Sequence, residues 1–291
     1  MKKGARSLII YISKEENQPG EEKVYREFNE DGKMVLQVEY KEDSDDTISE
    51  TKWKYDTNGN EIEKVIDFGE NRTLQYFSEF DDKNRLSFSK TINTEGKVED
   101  QRVFTWNEDE TELVVTLQDE DGNTIGEELK YYHPNKDIKE ELYYDEEGNL
   151  AEKYTYQYDD QSRLIDKIEA MGGFESHYRY EYETDSENNI TEMKVIDEEG
   201  GMHITRTEFH DNGKKSMEEF ILLSGASEVF YYDEDEKVRQ EEKYDTTGFK
   251  ISESHYFYDD EGDLVRKHIL ADNKYFRIDY EYSMTLEDEE E

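Results

Sequence analysis

Six histidines, His133, His177, His203, His210, His255 and His268, are the first residues to test for chemistry. No two have the spacing of a helical zinc site, and none accompanies a serine in an elbow motif. They read as scattered strand residues. Asp119, Asp121, Gly122 and Glu128 fall at positions 3, 5, 6 and 12 of an EF-hand loop, but position 1 is Leu117, which cannot ligate. The same Asp-x-x-Gly recurs elsewhere as a turn, so no calcium site is assigned. The chain carries 78 Asp and Glu, so carboxylate pairs at glycosidase-like separations arise by chance and none can be named as acid and base. No Gly-x-x-x-x-Gly-Lys loop is present, and Gly172-Gly173 and Gly200-Gly201 read as turns. The expectation is a protein that is not an enzyme and holds no cofactor or metal. The candidate binding residues are the tyrosine ladders Tyr154, Tyr156, Tyr158 and Tyr178, Tyr180, Tyr182. An aromatic body with a polar tip suits a wet interface with sugars or peptides, while the competing reading makes the same ladders a thin core.

The elements that must position these tyrosines are set by a repeat. An aromatic, then Asp or Asn, two polar residues, Gly or a substitute, and an apolar residue recur along the chain. Tyr55 to Gly59, Tyr144 to Leu150, Tyr244 to Gly248 and Tyr258 to Leu264 are the clearest copies; Phe28 to Gly32, Phe80 to Leu86 and Tyr158 to Leu164 are weaker ones. The Gly-equivalent position marks turns near 32, 45, 59, 71, 84, 96, 110, 122, 136, 148, 162, 173, 187, 200, 213, 225, 236, 248, 262 and 273. The mean spacing is about 12.7 residues, a strand-and-turn rhythm, and the alternation of 12 and 14 in mid-chain gives a two-strand unit of about 26 residues. Asp or Asn can bond the backbone two residues on, and Gly supplies the positive φ that closes a hairpin.

Between turns the pattern has period two. Leu150, Tyr154, Tyr156 and Tyr158 share a face, with Ala151, Lys153, Thr155 and Gln157 opposite. One face is expected to be aromatic and the other charged. Gly, Asp and Asn recur too often to leave room for helices. The fold class predicted is all-β: tandem β-hairpin repeats, about twenty strands, forming one long twisted, curled antiparallel meander whose aromatic face curls inward. No linker divides residues 1–284, taken as one continuous repeat domain, and 285–291 read as an acidic C-terminal tail.

Composition narrows the function. Hydrophobic residues are 33% and charged residues 39%, too polar for a thick core, yet 23 Tyr, 13 Phe and only 2 Pro are not what a disordered chain contains. The net charge of −42 repels phosphate backbones and anionic lipid, so neither direct nucleic-acid nor membrane binding is expected, whereas a basic protein partner would be attracted. The absence of cysteine suits a reducing compartment. Leu8 to Ile12 is shorter than the apolar core of a signal peptide and reads as a first strand, so the expected location is cytoplasmic.

The aromatic-Asp-x-x-Gly-x-Leu pattern, clearest at Tyr144 to Leu150 and Tyr258 to Leu264, resembles the YD repeats of bacterial Rhs-type proteins over nearly the whole chain. The Arg-Leu pair which that consensus prefers after the Gly stands at Arg85-Leu86 and Arg163-Leu164. The resemblance implies repeated hairpins of the kind those proteins coil into hollow shells. In architecture and composition the chain is also similar to small bacterial antitoxin or immunity proteins built of MORN-like β repeats. The leading expectation is a non-catalytic protein-binding scaffold, an immunity or antitoxin protein that neutralises a basic toxin or effector. The alternatives are a surface-associated or carbohydrate-binding YD-repeat module and an acidic mimic of nucleic acid.

Overall fold

The computed structural model describes residues 5–15, 18–41, 44 and 46–284, so the 285–291 tail and the turn expected near 45 lie outside the described residues. Among the described residues are 22 strands and no helix. Contacts group the chain into two compact units, one comprising Thr51–Tyr180 with Ile196–Gly200 and the other Met1–Glu50, Glu181–Val195 and Gly201–Glu291.

The chain begins with β1 (Ala5–Ser13), β2 (Glu21–Phe28), β3 (Met34–Tyr40) and β4 (Thr47–Tyr55), the last crossing a unit boundary. The Thr51–Tyr180 unit holds β5 (Glu61–Asp67), β6 (Thr73–Phe80), β7 (Leu86–Asn93), β8 (Val98–Trp106) and β9 (Glu112–Gln118). It continues with β10 (Thr124–Tyr132), β11 (Ile138–Tyr144), β12 (Leu150–Tyr158), β13 (Leu164–Met171) and most of β14 (Phe174–Thr184). After β15 (Ile190–Asp197) come β16 (Met202–Phe209), β17 (Lys215–Ile221), β18 (Ser227–Tyr232) and β19 (Val238–Tyr244). The last three strands are β20 (Lys250–Tyr258), β21 (Leu264–Ala271) and β22 (Lys274–Met284).

Each unit is an antiparallel meander. In one, β5 to β14 pair in chain order. In the other, β16 to β22 pair in order and the run continues through the chain ends, because β22 pairs with β1, β1 with β2 and β2 with β3. The expected antiparallel meander is present, but the expected curling of one long meander is corrected by a pairing of its two ends. Ile9 faces Glu281 on one side and Tyr25 on the other, so neither terminal strand is an edge and a seam joins the first strand to the last. The physical reason is that a free edge offers unpaired N–H and C=O groups to other chains, and joining the two ends removes both.

The turns follow the predicted chemistry. In Asp159 to Arg163, the Ser162 N–H donates to the Asp159 carbonyl at 3.0 Å and the Asp159 N–H to the Arg163 carbonyl at 2.9 Å. Asp159 Oδ1 accepts the N–H groups of Gln161 and Arg163, both at 2.9 Å. The fourth residue has positive φ whether it is Gly148 (79°), Asn84 (65°), Lys136 (74°) or Ser162 (59°). The residue after it completes the motif: Arg85 and Arg163 reach Oδ2 of Asp81 and Asp159, each at 2.6 Å, and Asn60 and Asn123 donate to Oδ2 of Asp56 and Asp119 at 2.9 Å. The Arg of the Arg-Leu pair is thus a brace on its own turn.

The core is thin. Leu8, Leu113, Val115 and Val229 are the buried apolar side chains, joined by buried Ser13, Ser49, Thr51, Glu241, Glu242 and Ser254 among the described residues. Cohesion comes instead from half-buried rows. Trp106 and Tyr132, ending alternate strands β8 and β10, stack at 5.5 Å, and the Tyr158 and Tyr258 hydroxyls donate to the Ile138 and Val238 carbonyls at 2.9 Å.

Candidate binding surface

The tyrosines singled out from the sequence lie on β12 and β14. Tyr154 and Tyr156 share a face, but that face is not purely aromatic. Tyr154 donates to Glu152 Oε2 at 2.8 Å, and Tyr156 crosses to β11 to donate to Glu141 Oε2 at 2.8 Å. Lys167 of β13 lies over both rings, 5.3 Å from the Tyr154 centroid and 5.9 Å from that of Tyr156, and its ammonium bonds Glu169 at 2.6 Å. Lys130 holds the other Glu141 oxygen at 3.2 Å. The expected division into an aromatic and a charged face is therefore corrected: tyrosine, carboxylate and lysine interleave, because a half-buried phenol keeps its O–H satisfied by an acceptor within reach.

These contacts shift the phenols. The hydrogen bond to Glu152, followed by desolvation, pushes the Tyr154 hydroxyl up to about 12. Burial, then the hydrogen bond to Glu141, raises Tyr156. Tyr180, half-buried on β14, is raised by desolvation, while Lys167 pulls the other way. Tyr178 faces Lys167 in the β13–β14 register, and Tyr182 is half-buried further along β14.

Two of the predicted tyrosines converge on one cavity. Tyr156 and Tyr158, with His133, Pro134, Lys139 and Ser162, line an open cleft of 740 Å³ beside the turn 133–137. The His133 ring stands edge-on to Tyr158 at 6.0 Å. Both hydroxyls are already committed, so what the cleft presents is ring surface and an imidazole. Tyr154, Tyr178, Tyr180 and Tyr182 are not among its lining residues.

The sequence reading passed over Glu141 and Lys167. Their signal is an offset of 100 residues: Glu141, Tyr156, Tyr158 and Lys167 return as Glu241, Tyr256, Tyr258 and Lys267. The second set is tighter. Tyr256 donates to Glu241 Oε2 at 2.5 Å, and Lys267 bonds that oxygen at 3.1 Å and the Tyr256 hydroxyl at 2.7 Å. Lys243 takes the other oxygen at 3.1 Å. Burial opposes the Glu241 charge, but the hydrogen bonds from Tyr256, Lys267 and Lys243 outweigh it and bring the carboxyl down to about 2.

The remaining candidates are placed as follows. His177 bonds Glu175 at 2.8 Å, and that hydrogen bond raises its pKa; His255 bonds Glu253 at 2.6 Å; His210 lies 3.1 Å from the Tyr232 carbonyl; the His268 ring sits against Phe257 and Tyr275. His203 lies on β16. Asp119 caps its own turn through the N–H groups of Asp121 and Asn123, and Glu128 is ion-paired to Arg102 at 3.3 Å.

A second feature follows strand parity. Turns after odd-numbered strands are flanked by exposed large apolar side chains, among them Phe68, Ile125, Leu150, Met171 and Phe174 in one unit and Phe220, Leu222, Leu223, Phe249 and Leu270 in the other. Of the exposed large apolar residues among the described ones, only Ile190, Tyr231 and Phe257 lie toward turns after even-numbered strands. At those even turns the apolar residues are instead half-buried aromatics, such as Phe80, Trp106, Tyr132, Tyr158 and Tyr258.

The solved structures that this chain is similar to include the Photorhabdus luminescens Tc holotoxin pore, at 10% identity and a TM-score of 0.30, where the match covers 93% of this chain and 18% of that one. A porin-like protein from Bacteroides uniformis matches at 11% identity and a TM-score of 0.32, covering 97% of both chains. The chain thus spans less than a fifth of the toxin-complex chain it matches. No curated protein matches in sequence. Residues 66–215, just over half of the chain, match a family described as "Uncharacterised protein", and the chain belongs to that family.

Proposed function

We propose that this protein is a non-catalytic binding scaffold for a basic protein partner, acting in the cytoplasm as an immunity or antitoxin protein that neutralises a basic toxin or effector. One observation carries the reading. A turn of this type constrains its first residue and its positive-φ residue, leaving the two between them free. Those free positions are exposed and acidic at Glu30-Asp31, Glu108-Asp109, Glu120-Asp121, Glu146-Glu147, Glu198-Glu199 and Glu234-Asp235. Cations in the strands are spent locally, as in Lys153 with Glu140 at 2.5 Å and Arg206 with Glu192 and Glu219 at 2.9 and 3.2 Å. Carboxylates therefore accumulate at the tips, where only Glu198 and Asp235 of those named have an ion-pair partner among the described residues, His177 at 3.8 Å and Lys214 at 3.7 Å. The fold does not ask for them there, and a basic surface would meet them first.

The test is co-expression with the product of the neighbouring open reading frame, followed by measurement of affinity and association rate against salt. The expected result is a toxic, basic neighbour that is bound and silenced, with association slowing as salt rises. A neighbour neither toxic nor bound would overturn the reading.

A further inference from the structure

The exposed apolar residues at odd turns are not scattered. Leu150 (49% exposed), Met171 (52%) and Phe174 (82%) line one open cavity of 770 Å³ at the ends of β12, β13 and β14, with Glu152 and Glu175 on its wall. The 100-residue offset places a related, smaller cavity of 190 Å³ at the ends of β20 and β21, where Phe249 (70% exposed), Ile251 (43%) and Leu270 (53%) stand beside Glu253 and Asp272. Neither turn needs these side chains. Gly172 and Gly173, with φ of 60° and 84°, close the first, and Asp272 and Asn273, at 50° and 59°, close the second. Single exposed apolar residues are ordinary, but a cluster around a cavity that recurs at the equivalent place calls for an occupant.

Resting on the basic-partner reading, we infer that these two hairpin-end cavities are sockets for apolar side chains of an amphipathic, Lys/Arg-rich polypeptide segment. Charge complementarity selects this occupant. The walls carry carboxylates, and the cations that line them are already held: Lys153 at the first cavity by Glu140, and Lys250 at the second by Glu242 and by Glu253 of the same wall. The chain as a whole bears −42. A second copy would bring the same charge against itself, and an anionic bilayer would be repelled likewise. A basic segment gains twice: its apolar side chains leave water in the cavity while its cations face the carboxylates around the rim.

The experiment uses the full chain and two synthetic peptides of equal length and charge, one an amphipathic Leu/Lys sequence and the other Lys/Ser, with neutral phosphatidylcholine vesicles as a third probe. The Leu/Lys peptide is expected to bind more tightly, and Met171→Ser with Phe174→Ser is expected to weaken it by about tenfold while leaving the Lys/Ser peptide unchanged. Both side chains are exposed, so circular dichroism of the double variant should match the parent. Equal binding of the two peptides, or indifference to the substitutions, would overturn the sockets and leave the basic-partner reading standing. Binding of vesicles in preference to the Leu/Lys peptide, lost in the double variant, would overturn a polypeptide occupant. Binding of neither peptide at low salt would overturn the basic-partner reading and this inference with it.

Discussion

The Tyr256 hydroxyl donates to Glu241 across β19 and β20 at 2.5 Å, and Tyr156 makes the same contact with Glu141 at 2.8 Å. In a protein with so few buried apolar side chains, such charge-assisted bonds carry part of the cohesion. A hydrogen bond to a charged group contributes roughly 1.5–3 kcal/mol. Since Lys267 and Lys243 would remain on Glu241, Tyr256→Phe is expected to cost about 1.5–2 kcal/mol, at the low end of that range. Urea unfolding of Tyr256→Phe and Tyr156→Phe checks this; unchanged midpoints in both would remove the network from the account of stability.

The same network sets an acid limit. Glu241, brought down to about 2 from its ordinary 4.5, is a depressed carboxyl. Its contribution is present above 4.5 and is lost as pH falls toward 2, because there the unfolded chain binds the proton that the native state refuses. Glu241→Gln should be less stable at neutral pH yet lose less between pH 4.5 and about 2. At the other extreme, Tyr244 is pushed up to about 12, first by its hydrogen bond to Glu242, so its contribution holds up to pH 10 and disappears as pH rises toward 12. Urea midpoints across pH and the ultraviolet titration of phenolate test both limits.

Turn substitutions should differ in sign. Gly148 has a φ of 79° and open space around its Cβ position, so Gly148→Ala is strained by backbone alone and is expected to cost about 1–2 kcal/mol, with Asn milder. Glu236 occupies the equivalent place in its turn at 63°. Glu236→Gly relieves that strain at some entropic cost and should stabilise the protein by up to about 1 kcal/mol. Thermal melts of the pair check the signs.

Much of this fold was legible because its signals are local. The predicted turn markers coincide with positive-φ residues even where Gly is replaced, at Asn84, Glu110, Lys136, Ser162 and Glu236, and near 187 the residue is Asn188. The turn between Ser13 and Glu21 was missed, since it lacks the aromatic-Asp opening; among its described residues, Ser13 Oγ lies 2.7 Å from the Glu15 carbonyl and 3.2 Å from that of Gln18. That accounts for 22 strands where about twenty were expected. Pairing of β1 with β22 joins residues more than 250 apart and has no local signature. The candidate surface was less legible: Tyr156 and Tyr158 line a cleft, but what a phenol bonds depends on cross-strand register, and the exposure of Phe174 depends on its place at a hairpin end.

The seam between the chain ends gives the most discriminating test of the fold. Leu8 is 6% exposed and sits on β1 between Arg26 of β2 and Tyr282 of β22. Truncating a buried leucine removes its transfer free energy and leaves a cavity, so Leu8→Ala is expected to cost roughly 2–4 kcal/mol. Ile251→Ala, at an exposed hairpin end, should change stability by less than about 0.5 kcal/mol. Ile10 faces Val24 and Tyr280, and Ile10→Pro would remove a ladder N–H from a strand paired on both sides, which should open the seam rather than merely weaken it. Urea unfolding ranks the three variants, and hydrogen exchange reads the amides of β1 and β22 directly. Were Leu8→Ala no more costly than Ile251→Ala, with exchange at β22 as fast as in a free edge, the pairing of the termini would not be a cohesive part of the fold.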